Sequence, residues 1–435
     1  MISLTDRLRG VVRPAGSGPT GPGVSSGQDQ SKGSADSAAA LLGGEWRDAG
    51  DHRYLVVDRS YAPGHRHGSM SVADGLPPQE GWPQLALLGG SSCGGDLLFV
   101  DLETTGLAGG AGTYAFLVGC AWFDGGRFRI RQFFLSSFAS ERALLAAVSE
   151  TAGRAATVVT YNGKTFDLPL IDTRYTLNRM QTPFASMSHI DMLHPARRLW
   201  RGDDAGREDS ASARSDSRMG GLATAAGCRL STLEQTLLGN EREGDVPGFE
   251  IPARYFRYVH SSDARPLGGV LEHNRLDLLS LALLTARAAQ LLDEGAAGTV
   301  TAREAFGLGR LYERAGMNRE ALACFMRAVD MAPTKAADAL RAQAVLLRRL
   351  RRYDESAAAW QRLLELRTGP PSFVREAAEA LAVHHEHRLR NLLSARSFAL
   401  RFLQLDATDA RRLAAEHRLA RLDRKLGQSS PAPLF

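Results

Sequence analysis

An apolar run that ends in acids constrains this chain more than any other feature of it. Residues 97–107 read LLFVDLETTGL, so Leu97, Leu98, Phe99 and Val100 lead directly into Asp101 and Glu103. Consecutive apolar residues of this kind read as a buried strand. On a strand, residues two apart point to the same side, and both carboxylates therefore emerge together where the strand ends. Two like charges at that separation raise each other's pKa unless a cation neutralises them. The pair asks for a metal, although two solvated acids at a surface strand end would explain it equally well on its own.

Two further carboxylates occur where burial is expected. Asp167 lies in VVTYNGKTFDLPLI, where a buried-type strand stops at Asn162 and Gly163 and the next helix carries the acid between Phe166 and Leu168. Asp277 lies in LEHNRLDLLSLALL, beside Leu276, Leu278 and Leu279 on a helix of core character. An isolated buried carboxylate is costly unless paired or metal-bound. A salt bridge to an arginine would satisfy either acid taken singly. Together the acids form a pattern.

The 435 residues leave room for two or three domains. Residues 1–44 are rich in Gly, Ser and Pro from position 14 onward and read as a disordered lead. Residues 45–92 predict a small N-terminal lobe, with His65 and His67 as polar surface rather than a metal pair. Over 93–294, strands at LLFVDLE, TYAFLVGCAWF and RFRIRQFF form an antiparallel meander around a DGG turn, and helices then alternate with the strands ATVVTYN and SHIDM. That order predicts an α/β fold with a mixed sheet, three antiparallel strands and then parallel strands with helices. The Ser-rich stretch 202–219 reads as an exposed insertion.

Residues 302–427 read as an all-α helical repeat region. Leu308, Gly309, Tyr312, Ala321, Phe325, Ala328 and Pro333 stand at the offsets of a tetratricopeptide unit, and Tyr353, Trp360 and Leu363 recur in a second. A third, degenerate unit follows from Ser372. Such an array leaves a concave, Arg-rich face for a protein partner, or simply stabilises the domain before it. The HHEH run at 384–387 is read as repeat surface, since adjacent residues share no helical face.

Composition excludes several classes. Cys93, Cys120, Cys228 and Cys324 show no C-x-x-C spacing, which argues against a disulfide framework or a cysteine zinc site. No segment approaches the roughly 18 to 20 apolar residues needed to span a bilayer, and the N-terminus lacks the apolar core of a secretory signal, so no membrane and a cytoplasmic address are expected. Residues 301–435 hold 24 Lys and Arg against 15 Asp and Glu, a net of +9, leaving −4 on the first 300. A basic portion beside an acidic site suits a polyanionic partner.

DLETTGL, YNGKTFDLPLI and HNRLD together resemble the three motifs of the DEDD superfamily of exonucleases, which share the ribonuclease H-like fold. With SHIDMLHPARRLW, GDVPGFEIPARYF and the helical array, the chain is most similar to the bacterial YprB-type ribonuclease H-like proteins. The resemblance implies that Asp101, Glu103, Asp167 and Asp277 hold two divalent cations, Mg2+ or Mn2+. Asp101 would bridge both, Glu103 and Asp277 would hold the ion that activates water, and Asp167 would help hold the other. It implies nucleic acid as partner, a single-stranded end above all, with DNA or RNA left open, and a 3′-5′ exonuclease as the activity. His273 departs from the family pattern: it stands at the spacing of the superfamily's tyrosine. At i and i+4 it shares a helical face with Asp277, either as a general base or as a hydrogen-bond partner of a neighbouring acid. Thr104, Thr105 and Gly106 suit backbone approach to a terminal nucleotide, Asn162 a sugar contact or a brace, and Tyr114 or Phe166 a stacked base. Arg197, Arg198 and Arg201 read as phosphate contacts or a solvated face, and Asp191 as structural. A non-cleaving nucleic-acid-binding scaffold is the competing reading.

Overall fold

A seven-stranded sheet positions the acids. The computed structural model describes residues 38–78, 81–89, 96–106, 110–201, 228–366, 369–405 and 409–429. Its strands are β1 (Glu45–Ala49), β2 (His52–Tyr61), β3 (Leu97–Thr104), β4 (Ala115–Asp124), β5 (Arg127–Phe134), β6 (Thr157–Thr160) and β7 (Ser188–Asp191). They lie in the order β1-β2-β5-β4-β3-β6-β7. The meander β3-β4-β5 is antiparallel, and it turns at Gly125 and Gly126, whose φ values of +55° and +74° suit a tight hairpin that non-glycine residues resist. β6 and β7 then add parallel to β3. This is the mixed ribonuclease H-like sheet the sequence predicts.

Alternation along β3 sorts its side chains between two cores. Leu98, Val100 and Leu102 join one apolar cluster with α1 (Glu141–Ala152) and α2 (Asp167–Leu177). Phe99 joins the other, with Leu278 and Leu281 of α5 (Leu267–Glu294). Asp101 and Glu103 follow Phe99 at steps of two, so they arise on the face that α5 covers. The remaining helices of the α/β portion that matter are α3 (Leu193–Leu199) and α4 (Ile251–Ser261).

The N-terminal expectations need correcting. The lead is not structureless up to residue 44: residues 38–42 are helical, and Ala38 and Leu42 are buried in the first core cluster. The Gly/Ser composition of the lead had masked the apolar AAALL at its end. Nor do residues 45–92 stand apart as a lobe, because β1 and β2 belong to the main sheet, β1 at its edge and β2 paired with β5 from Leu55 to Tyr61. A short ribbon, Arg66–His67 with Met70–Ser71, packs onto the chain near Leu238. Gly68 is required there, since a Cβ would stand 2.0 Å from the Leu238 carbonyl oxygen. His67 is buried, not surface: its Nε2 lies 2.8 Å from the Ser280 hydroxyl. Residues 1–37 and the 202–219 insertion lie outside the described residues.

The helices that follow are α6 (Ala302–Arg314), α7 (Asn318–Met331), α8 (Ala337–Arg349), α9 (Tyr353–Glu365), α10 (Pro371–His387), α11 (Leu392–Leu403) and α12 (Asp409–Ser429). Gly309 lets α6 and α7 meet closely, because a Cβ would lie 2.6 Å from the Phe325 ring. One apolar cluster runs from Phe99 through α5 into Leu308, Tyr312 and Phe325, so the first helix pair shares the core of the sheet domain. This seam absorbs ARRLWR. Trp200 Nε1 donates to Glu304 Oε1 at 2.9 Å, Arg303 donates to the Arg197 carbonyl at 3.4 Å, and α6 passes so close to the Arg198 carbonyl that only Gly307 fits. The segment is therefore an internal contact rather than a solvated face. In HHEH, Glu386 is buried and accepts from Arg421 at 2.9 and 2.7 Å, tying α10 to α12. No described helix is long and apolar enough to cross a membrane.

Candidate metal and nucleic-acid site

The first two acids are set by the register of β3. Asp101 pairs with Gly119 and Glu103 with Leu117 on β4, and an irregularity in the pairing between Glu103 and Thr104 ends the strand. Gly119 is the residue that lets α5 approach: a Cβ there would stand 2.3 Å from Asn274 Oδ1 and 2.8 Å from Leu278 Cδ1. Asn274 in turn donates from Nδ2 to Asp101 Oδ2 at 2.7 Å and to the Asp101 carbonyl at 3.1 Å. Its Oδ1 accepts from Gln132 at 2.8 Å. Gly119→Ala is accordingly expected to push α5 from the sheet and lower the unfolding free energy by roughly 1 to 3 kcal/mol. Urea denaturation measures this, and an unchanged midpoint would contradict the packing account.

Asp167 is placed by the turn after β6. Asn162 adopts the left-handed conformation at φ +68°, and its N–H donates to Asp191 Oδ1 at 2.7 Å. The same carboxylate accepts from the N–H groups of Lys164 and Leu193, each at 3.1 Å. Asp191 thus fixes the turn from which α2 starts, with Asp167 as its first residue. The structural role read for Asp191 holds, and of the two roles open to Asn162 the brace is the one its backbone performs.

The third motif brings a network that the motifs themselves did not reveal. Asp277 Oδ1 accepts from Arg242 Nη2 at 2.5 Å. Arg242 also donates through Nε to Glu234 Oε2 at 2.8 Å, and its Nη1 lies 3.3 Å from Asp245 Oδ2. His273 Nδ1 lies 2.7 Å from Asp245 Oδ1, and His273 Nε2 lies 3.6 Å from Asp277 Oδ2. Glu234, Arg242 and Asp245 belong to a polar stretch, EQTLLGNEREGD, whose partners are 28 to 35 residues away along the chain. Nothing local in the sequence signals them.

Electrostatics then follow from the crowding. Burial raises the Asp101 carboxyl well above its ordinary range, and the charges of Asp277 and Asp167 raise it further against the Asn274 hydrogen bond. Glu103 is raised likewise, by burial and then by Asp101, Asp277 and Asp167. Burial, with Asp191 and Asp277 beside it, lifts Asp167 to about 7. All four acids therefore feel one another across β3, α2 and α5. Asp245 is held below its usual value, burial being outweighed by His273 and Arg242.

Asp101, Glu103 and Asp167 line a cleft of about 290 Å3 together with Thr104, Asn162 and Phe166. Gly106 and His273 also reach it. The Thr104 hydroxyl donates to the Gly106 carbonyl at 3.0 Å, and the Thr105 hydroxyl accepts from the Tyr114 N–H at 2.9 Å, so both threonines hold the turn at the cleft's rim. Tyr114 is not free to stack on a base. One face meets Arg174 at 3.9 Å, and Phe138 lies 4.4 Å from it between ring centres. Phe166 is left as the aromatic candidate of the two.

The donor set is all-oxygen, as magnesium and manganese prefer, and a cation would relieve the repulsion that drives these carboxyls toward their neutral forms. Among the described residues no three His, Cys, Asp or Glu side chains stand as a closed cluster for one ion. Asn274 engages Asp101 and Arg242 engages Asp277 instead. The residues fit an ion held by one or two carboxylates, with water and phosphate completing its shell, the usual manner for magnesium.

Residues 98–289 match a family described as the RNase_H superfamily, a span that opens in β3 and closes in α5. With the sheet order described above, this likeness makes the domain ribonuclease H-like in fold. Over a longer stretch the chain is 29% identical, across 390 residues, to a protein of Bacillus subtilis (strain 168) called Uncharacterized protein YprB, covering 86% of this chain and 87% of that one. A likeness of that length takes in helices beyond the domain as well as the sheet.

Proposed function

We propose that the chain is a divalent-metal-dependent nuclease that removes nucleotides from the 3′ end of a single strand, DNA before RNA. The observation that carries this reading is the gathering of Asp101, Glu103 and Asp167 at one small cleft, with the charge of Asp277 acting on all three from beside it. Ribonuclease H-like nucleases typically use two divalent ions, which activate water and stabilise the charge that develops on phosphate oxygens. In this reading Asp101, Glu103 and Asp167 hold the metal, with Asp277 behind them, and His273 takes a proton from the attacking water through Nε2. Water oxygen joins the terminal phosphorus as the bond to the preceding 3′ oxygen breaks, giving a nucleoside monophosphate and a shortened strand with a 3′ hydroxyl. Thr104, Thr105 and Gly106 shape the rim for the terminal nucleotide, Asn162 borders the sugar, and Phe166 stacks on the base. The helical region, read as tetratricopeptide repeats, recruits a protein partner or guides the strand.

One observation favours the non-cleaving scaffold: Asp277 is already paired with Arg242. A single assay separates the readings. Single-stranded DNA and RNA labelled at the 5′ end are incubated with the purified chain and magnesium or manganese, beside a circular strand and a chelated control. Ladders shortening from the 3′ end, on linear substrate and only with metal, are expected. Strands bound but uncut under every condition would establish the scaffold, and cutting of the circle would make the cleavage internal.

A further inference from the structure

His273 stands at a spacing foreign to the motif that its helix otherwise resembles, and one neighbour explains how it can still be aimed at the cleft. From the geometry we infer that Asp245 is a positioning residue for His273, holding the imidazole with Nδ1 turned away from the cleft and Nε2 turned toward it. The inference rests on the nuclease reading above and deepens it.

The contact is short and its far side is fixed. His273 Nδ1 lies 2.7 Å from Asp245 Oδ1, with the two side chains 18% and 24% exposed. A carboxylate can only accept, so the proton of this bond sits on Nδ1. The neutral ring then carries its lone pair on Nε2. That nitrogen lies 3.6 Å from Asp277 Oδ2, too far for a direct hydrogen bond, and His273 lines the same cleft as Asp101, Glu103 and Asp167. A water beside the acids is what such a lone pair is placed to meet.

Asp245 does not depend on His273 for its own position. Its Oδ1 accepts from the Val246 N–H at 2.9 Å, and its Oδ2 faces Arg242 Nη1 at 3.3 Å. Arg242 is itself anchored on Glu234, a fully buried carboxylate that also receives Asn240 and lies within 3.5 Å of His67. The ribbon around Gly68 closes on the same segment at Leu238. The polar loop that follows the helical segment Leu230–Leu238 is thereby an anchored arm that carries Asp245 to His273. This arrangement also gives the N-terminal ribbon a task, which is to back the arm.

The test uses the full chain and the variants Asp245→Asn, Asp245→Glu and His273→Ala. An asparagine keeps the shape, and with its amide oxygen drawn to Arg242 Nη1 its nitrogen faces Nδ1, which turns the ring to the tautomer with its proton on Nε2. Asp245→Asn is expected to lower kcat about a hundredfold with KM unchanged, approaching His273→Ala, and Asp245→Glu to recover part of the loss. Two-bond nitrogen–proton NMR correlations on histidine-labelled protein read the tautomer directly, with Nδ1–H expected in the wild type and Nε2–H in Asp245→Asn. A wild-type ring protonated on Nε2, or a kcat within twofold of wild type in Asp245→Asn beside a crippled His273→Ala, would overturn the inference. Were the wild type inactive on every strand, the nuclease reading would fall while the tautomer measurement still decided the role of Asp245.

Discussion

Replacement of Asp101 by asparagine is expected to cut the magnesium-dependent rate on a labelled single strand by about a thousandfold or more, and at the same time to raise the melting temperature of the metal-free protein. The two effects share one cause. Asp101 is half-buried beside Asp167 and Asp277, and in the absence of a cation its charge is repelled on both sides. Asparagine keeps an acceptor for Asn274 Nδ2 and removes the repelled charge, so the fold loses nothing it was using. What disappears is an oxygen that a divalent ion requires, and the stabilisation of developing charge that depends on it. Initial rates and a thermal melt in chelator measure both sides. A stabilised but fully active variant would remove Asp101 from the chemistry, and a destabilised one would mean that the carboxylate is structural. Asp277→Asn should behave differently. Its loss leaves Arg242 with Glu234 and Asp245 only, so activity falls without the same gain in stability.

How far the site could be read beforehand depended on whether each residue's neighbours lie near it in sequence. Asp101 and Glu103 were legible because four apolar residues precede them on the same strand, and strand geometry fixes their direction. Asp167 and Asp277 were legible by contrast, as acids within apolar stretches. Arg242 and Asp245 sit in a polar segment with no periodicity, and their meaning comes entirely from what α5 brings to them. Tyr114 shows the opposite failure: an aromatic near the first motif looked available, yet Arg174, held by Glu141 at 2.6 and 2.7 Å, covers it. At the level of the fold, the meander and the parallel strands followed from alternation and turn residues. The place of β1 and β2 in the sheet did not, because the pairing of β2 with β5, from Leu55↔Phe134 to Tyr61↔Phe128, joins residues far apart along the chain and leaves no local trace. The seam at Trp200 and Glu304 was missed for the same reason.

The same crowding of acids should make the metal-free protein lose stability as pH rises above about 6.5, and the sign can be worked out group by group. Unfolded carboxyls titrate near 4, whereas Asp167 in the folded chain titrates at about 7 and Asp101 and Glu103 are raised well above their ordinary range. Between those values the folded state holds more protons than the unfolded one, so stability falls with rising pH. Two histidines act in the other direction, His67 buried and His189 half-buried. Burial lowers His67 and His189 to about 4, so between about 4 and 6.5 the unfolded chain binds the extra protons and stability rises with pH. Their contribution is spent once the unfolded histidines are neutral, near pH 6.5. Above that point only the carboxyls remain, and stability falls with rising pH for as long as any of them keeps its proton in the folded chain. Urea denaturation in chelator at pH 6.5 and pH 8 measures the fall. Saturating magnesium should abolish it, since the ion takes the place of the protons and binds more tightly as they leave. A metal-free stability that stays level or climbs across this interval would mean that the acids are not gathered as the structure has them.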